Sequence, residues 1–331
     1  MRQALMLLAA LSMAAAAGVV AQPRTLTIAL IAKSEANFVF LAARRGAEDK
    51  AAVLSRQHGV KIEISWLTPA KEDTAQQAER IRQAVREHAQ AILLSATDGP
   101  ALVSAVNAAV EQGVEVMTFD SDVPGSKRFA FYGADDADLG EKVAADLATL
   151  LGGKGAAAIL AGNPSSNNLK ARSEGVKKAL ARHPGIQVAG IVTHAETPQE
   201  AAAELLKFDA VHPELAGWAM VGGWALFRSS QSPALMAEIQ KRSLKIVAVD
   251  ALPEQLIYVE RGLVPVLWAQ PVYDWGAIGV STIADKLLLK KTVPRTIRME
   301  LIRVTRDDLR AYARRLSSWG FSLPPEYLAP E

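Results

Sequence analysis

Cysteine is absent from the 331 residues. That excludes disulfides, thiol nucleophiles, iron–sulfur clusters and cysteine-ligated zinc. The 37 basic and 35 acidic residues leave a formal net charge of only +2. A balance so close to zero removes the usual electrostatic argument for nucleic acid or an anionic membrane as partner. Aromatic residues are sparse at 6%, but half the chain is apolar and 22% is charged, so disorder is excluded as well. The length exceeds what one ordinary core accommodates and suits about two domains.

Signatures of catalysis are missing too. A nicotinamide site would place Gly-x-Gly-x-x-Gly after the first strand, yet Ile31–Ala36 holds no glycine. Gly152-Gly153-Lys154-Gly155 lacks the phosphate-loop spacing and, following a helical stripe, reads as a helix stop. No Gly-x-Ser-x-Gly elbow is present. The five histidines (His58, His88, His183, His194 and His212) show no paired ligand spacing, so neither a metal nor a cofactor is expected and solvated surface is the expectation for all five. Asp120 and Asp250 make a glycosidase pair only if they face one bond at a set separation.

What is present begins with Met1–Ala21. Arg2 precedes an almost unbroken run of Ala, Leu, Met and Val over Leu5–Val20, and small residues precede Gln22. This pattern reads as a cleaved secretory leader. No later stretch approaches the roughly 20 apolar residues that span a bilayer. The expectation is a soluble protein exported to the periplasm.

Apolar runs then alternate with amphipathic stretches. Leu26–Ala32, Ile62–Trp66, Ala91–Ser95, Val114–Phe119 and Phe129–Tyr132 read as strands, as do Ala156–Ala161, Ile186–Val192, Trp218–Val221, Ile246–Val249 and Val266–Ala269. Between them lie helical patterns such as Leu102, Val106 and Val110, or Leu139, Val143, Leu147 and Leu150. Strands joined by helices give parallel sheets with helices on both faces. The pattern restarts near Gly133–Asp136, which predicts two doubly wound α/β lobes. Open parallel sheets bind ligands beyond the carboxyl ends of their strands. Polar residues gather there: Lys33 to Asn37, Asp120 to Asp122, Asn163 to Asn168, Asp250 and Gln270. Each alone suits a cap or turn; their recurrence predicts a cleft.

In these features the chain resembles the ribose-binding-protein family, the type I sugar-binding components of bacterial ABC transporters. The resemblance runs from about Thr25 to Val304. It is carried by Ile28–Ile31 with Asn37, Phe40, Gly46 and Ala47; by Val116–Asp120; by Ala134-Asp135-Asp136 with Leu139-Gly140; by Arg172-Ser173-Glu174-Gly175; by Val249-Asp250 with Pro253; and by Ala269-Gln270 with Gly276 and Gly279. The resemblance implies a hinged trap: residues 24–134 plus 271–298 as one lobe, 135–270 plus 299–331 as the other, and three crossing segments between them. It places Asn37, Phe40, Asp120, Arg172, Asp250 and Gln270 on the ligand, with Phe40 stacking on a sugar ring. Lys33, Glu196, Gly222 and Trp224 join them where the chain departs from the family pattern, with Trp224 equally suited to the core. There Gly222-Gly223-Trp224 replaces an Asn-Asp pair, Glu196 lies near a usual aromatic cover, and Lys33 and Ser121 stand where the ribose pattern has serine and arginine. A pentose, a hexose, a polyol or an acidic sugar pairing with Lys33 all fit. The implied partners are that ligand and an inner-membrane permease, met by a monomer. A sensor presenting its ligand to a chemoreceptor or kinase, and a glycoside hydrolase using paired carboxylates, are the alternatives.

Overall fold

The computed structural model describes residues 25–328; the expected leader lies outside them. The chain opens with β1 (Thr25–Ile31), α1 (Phe38–His58), β2 (Lys61–Trp66), α2 (Thr74–Arg86), β3 (Ala91–Leu94), α3 (Gly99–Glu111), β4 (Glu115–Phe119) and β5 (Ala130–Gly133). A second series follows: α4 (Asp136–Leu150), β6 (Lys154–Gly162), α5 (Asn167–Leu180), β7 (Gly185–Thr193), α6 (Pro198–Val211), β8 (Leu215–Met220), α7 (Ser232–Arg242), β9 (Lys245–Val249), α8 (Pro253–Glu260) and β10 (Val266–Ala269). The chain closes with α9 (Val272–Leu287), β11 (Thr296–Arg298), β12 (Ile302–Val304) and α10 (Leu309–Ser318).

The strands form two six-stranded sheets with one topology, β11-β5-β4-β3-β1-β2 and β12-β10-β9-β8-β6-β7. The strand order reverses between β1 and β3 in the first sheet and between β6 and β8 in the second. Crevices for ligands open at such switch points. The chain crosses between sheets three times, at 133–136, 269–272 and 298–302. Every pairing is parallel except β12 with β10. The exception follows from the third crossing: β12 starts beside Ala269, where β10 ends, and must run back along it.

The apolar runs become strands because both faces are covered. Ile28, Ala29, Leu30 and Ile31 are completely buried. Helix α9 returns to the first sheet and packs on α1, while α4 packs on α5 beneath the second. Glycine makes both helix pairs possible. A Cβ on Gly276 would stand 1.8 Å from the Ala43 carbonyl oxygen, and one on Gly140 would stand 2.0 Å from that of Arg172. Gly152 and Gly153 adopt φ of 63° and 75° after α4, and their amides donate to the carbonyls of Thr149 and Ala148. That is the helix stop the sequence indicates.

One expectation fails. His194 is buried, with its ring edge-on to Trp224 at 5.1 Å between centroids. It follows β7 directly, and the loop it begins carries Glu196 to Lys33 at the lobe boundary. Burial therefore holds its pKa below the usual histidine value.

Candidate functional site

The first lobe brings its residues to the carboxyl ends of β1, β3 and β4. Lys33 follows β1 directly. Asn37 caps α1, its Oδ1 accepting from the Val39 amide at 3.3 Å, and Phe40 lies in the first turn of that helix. The cap role and a place on the cleft are compatible, because the cap sits at the mouth of the switch point. Phe40 is fully buried in a cluster with Trp275 and Phe119, at centroid distances of 6.0 and 6.3 Å. It lines the cleft as part of the first lobe's core.

Asp120 and Asp250 hold the same place in the two lobes, directly after β4 and β9. Both adopt left-handed backbone, with φ of 54° and 68°, a region that Asp and Asn tolerate better than most residues. Their amides still donate to the neighbouring strand, to the carbonyls of Tyr132 (3.0 Å) and Trp268 (2.9 Å).

Arg172, on α5, ties these groups together. Its guanidinium donates to Asp136 (2.8 Å), to the Val221 carbonyl (3.1 Å) and to Gln270 Oε1 (2.9 Å), and lies 3.7 Å from Asp120. Gln270 passes the chain on, donating to Asp250 Oδ1 at 2.9 Å, while the Gly223 amide donates to Asp250 Oδ2 at 3.1 Å. Asp120 accepts from Ser95 Oγ (2.9 Å) and from Asn168 Nδ2 (3.1 Å), the latter across the lobe boundary. Burial pushes Asp136 up to about pKa 6 against the opposing pull of Arg172, and burial raises Asp250 as well. For Arg172, burial works against the charge, but Asp136, Asp120 and Asp250 outweigh it and hold the guanidinium charged.

A second charged group spans the lobes. Lys33 Nζ donates to Ser166 Oγ at 3.0 Å and meets Glu196 Oε1 at 3.4 Å, with both side chains almost fully buried. Burial disfavours the Lys33 ammonium, but Glu196, Glu72 and Asp120 together raise its pKa. Burial lifts Glu196 to about pKa 8; Lys33 opposes this and the facing Glu72 adds to it. Lys33 thus already faces an acidic side chain of the other lobe.

Lys33, Asn37, Phe40, Asp120, Arg172, Glu196, Gly222, Trp224, Asp250 and Gln270 all border one chamber, together with Asn168 and Trp275. Its volume is only ≈ 20 Å³, about enough for one water molecule. Trp224 lies flat against backbone that lacks side chains: a Cβ on Gly222 would fall 2.2 Å from its ring, and one on Gly162 2.8 Å. The indole is thus packed into the second lobe and also borders the chamber. A larger cavity of ≈ 790 Å³ lies on the outer side of the second lobe, between α7, α8 and residues 322–327. It gathers no comparable network of polar side chains.

Sequence reasoning did not single out Glu72, Ser95, Asp136, Ser166 or Asn168. The last two stand in the polar stretch after β6, so position alone pointed at them. Asp136 lies in the first crossing segment. Glu72 sits in a charged loop after β2 and carried no signal.

The model of the periplasmic binding protein domain matches residues 28–291. The chain belongs to that family. Among curated proteins it is similar to the ribose import binding protein RbsB of Bacillus subtilis, 28% identical over 149 residues, and to RbsB of Escherichia coli, 26% identical over 269 residues. The first match spans 45% of this chain and 47% of the relative; the second spans 79% and 84%. Among solved structures it resembles a solute-binding protein from Burkholderia graminis in complex with D-arabinose, with a TM-score of 0.77, 23% identity, and coverage of 87% of this chain and 97% of the other. A solute-binding protein from Agrobacterium vitis bound to α-D-tagatopyranose gives a TM-score of 0.78, 23% identity, and coverage of 87% and 98%. At this identity the structures establish a shared fold. No helix among the described residues is long and apolar enough to cross a membrane.

Proposed function

We propose that this protein captures a sugar or sugar-like polyol between its lobes in the periplasm and hands it, chemically unchanged, to an ABC-transporter permease. One observation carries the reading: donors and acceptors from both lobes, Lys33, Asp120, Arg172, Glu196, Asp250 and Gln270, converge on a single buried chamber. Carboxylates, a guanidinium and an amide side by side suit a ligand whose hydroxyls both donate and accept. Similarity to ribose import binding proteins over most of the chain supports the same reading. Each charge-assisted hydrogen bond contributes about 1.5–3 kcal/mol, so a few reach micromolar affinity at about −8 kcal/mol.

The chamber volume of ≈ 20 Å³ sets the mechanism. A sugar enters only after the lobes separate, with 133–136, 269–272 and 298–302 as the hinge. Closure then removes the polar groups from water around it and presents a changed outer surface to the permease. The test is a thermal-shift screen against a carbohydrate and polyol library. A true ligand at a hundredfold excess over its Kd stabilises by about 2.7 kcal/mol. Chromatography of the incubated ligand should return it unaltered. Failure of every sugar and polyol to shift the melting transition refutes the reading, and appearance of a product refutes the absence of catalysis.

A further inference from the structure

The chamber network leaves one group of side chains unexplained. Glu196, in the loop after β7, meets Glu72, in the loop after β2, across the boundary between the lobes. Asn163 of the second lobe donates to Glu72 Oε2 at 2.9 Å, but Glu72 Oε1 is buried with no hydrogen-bond partner. Lys33 is a cation that Glu72 acts on, and it is shared with Ser166 and Glu196. Two facing carboxylates offer only acceptors to one another, so they remain in contact away from water only when one of them carries a proton. The two carboxyls belong to different lobes, so parting the lobes would separate them.

We propose that Glu72 and Glu196 form a proton-dependent latch, so that closing the lobes takes up a proton and the closed form gains population as pH falls. The proposal rests on the two-lobe reading above. Parting the lobes would turn both carboxyls to water. In the closed form the shared proton is held more tightly, as the raised pKa of Glu196 reflects. The closed state therefore binds more protons than the open one, and closure weakens as pH rises through about 8.

The other charged groups facing this pair set the window. Lys33 and Arg172 stay charged throughout, since their pKa values lie above the ordinary ones. Asp120, at the end of β4, adds negative charge beside Lys33 and Glu196 and reinforces proton uptake. His194, two residues before Glu196, is held below its usual value by burial, with Glu204 and Glu200 of α6 opposing. It works in the opposite direction, but only below about pH 6.5.

The ligand-free protein tests this by itself. A dye pair, one on each lobe far from the chamber, reports the closed fraction between about pH 6.5 and about pH 8.5. The wild type should close more strongly at the lower pH, with the closing constant changing by up to about tenfold per pH unit for one proton. Glu72→Gln supplies a permanent amide donor to Glu196, and Glu196→Gln does the reverse. Both should stay closed and lose the pH response, with small-angle scattering confirming compact, folded variants. A pH-independent wild type, or an unchanged slope in Glu72→Gln, overturns the latch. Sugar binding with pH-independent closure discards the latch and keeps the capture reading; pH-dependent closure with no sugar bound does the opposite.

Discussion

Replacing Arg172 by methionine tests the chamber network where it is most heavily connected. The guanidinium side chain is 3% exposed and serves Asp136, the Val221 carbonyl and Gln270. The larger cost lies in what remains: the Asp136 carboxyl, 13% exposed, with no cation against it. Removing one member of a buried pair costs about 3–5 kcal/mol. Asp136 tempers this, because burial has already raised its pKa to about 6 and loss of Arg172 raises it further. A carboxyl whose pKa is higher folded than unfolded contributes stability that is complete below its unfolded value, and that contribution is lost as pH rises through the folded one. The variant should therefore be most impaired near about pH 8 and recover partly near about pH 5. Urea melts of wild type, Arg172→Met, Asp136→Asn and the double variant at both pH values measure the coupling. Asp136→Asn should rescue Arg172→Met by about 2 kcal/mol or more at the higher pH, while ligand affinity stays lost in both. A coupling below about 1 kcal/mol, or a deficit that ignores pH, refutes the pairing.

Four further outcomes follow from particular contacts. Gly276→Ala should destabilise by about 1–3 kcal/mol in denaturant melts, since its Cβ would stand 1.8 Å from the Ala43 carbonyl oxygen; a neutral effect contradicts the close packing of α1 on α9. Asp250→Asn should keep the local backbone, because Asn accepts the left-handed conformation at φ 68°, but should cost about 1–3 kcal/mol, since its NH2 then faces the Gly223 N–H or the Gln270 amide, both donors, and should weaken sugar binding about tenfold or more. Asp250→Ala should add backbone strain of about 1–2 kcal/mol to the same binding loss, which paired melts and calorimetry resolve. Phe40→Ala should cost about 3–5 kcal/mol of stability, because the ring is packed on Phe119 and Trp275. Lost affinity with an unchanged melting temperature would assign Phe40 to the ligand alone.

The architecture was readable because its cause is local. A strand buried on both faces needs a continuous apolar run, and Ile28–Ile31 or Val266–Ala269 show one without reference to any neighbour. The place of Asp120 and Asp250 was readable for the same reason: each is the first polar residue after such a run. The short edge strands β11 and β12, three residues each, escaped notice because that length carries no periodicity and most of their residues are exposed or half-exposed. The contents of the site were only half legible. Lys33 meets Glu196 across 163 residues of sequence, and that meeting depends on how one lobe docks on the other. Lys33 looked available to a ligand carboxylate until the facing loop supplied its partner. Glu72 and His194 were illegible for the same reason, since their burial is imposed by the opposite lobe or by the path of a loop.

The two lobes repeat one plan, with the same strand order, an aspartate in left-handed backbone after the fourth strand, and a glycine-tight helix pair. What distinguishes them is how each aspartate is satisfied. Asp120 is met by a hydroxyl, an amide and a distant guanidinium, two of them from the other lobe. Asp250 is met by Gln270 and the Gly223 amide, both on its own side of the cleft. Opening the lobes therefore uncovers Asp120 and leaves the partners of Asp250 in place. On the capture reading, a ligand meeting the open form would find one aspartate pre-arranged on the second lobe and another completed only on closure. Asp120, Arg172, Asp250 and Gln270 already have partners in the shut chamber, so on the capture reading a ligand gains only the difference between its hydrogen bonds and those it replaces. Affinity then depends on the fraction of molecules open to receive it, which ties the interlobe contacts of Lys33, Asn163 and Asn168 to binding strength even if none of them touches the guest.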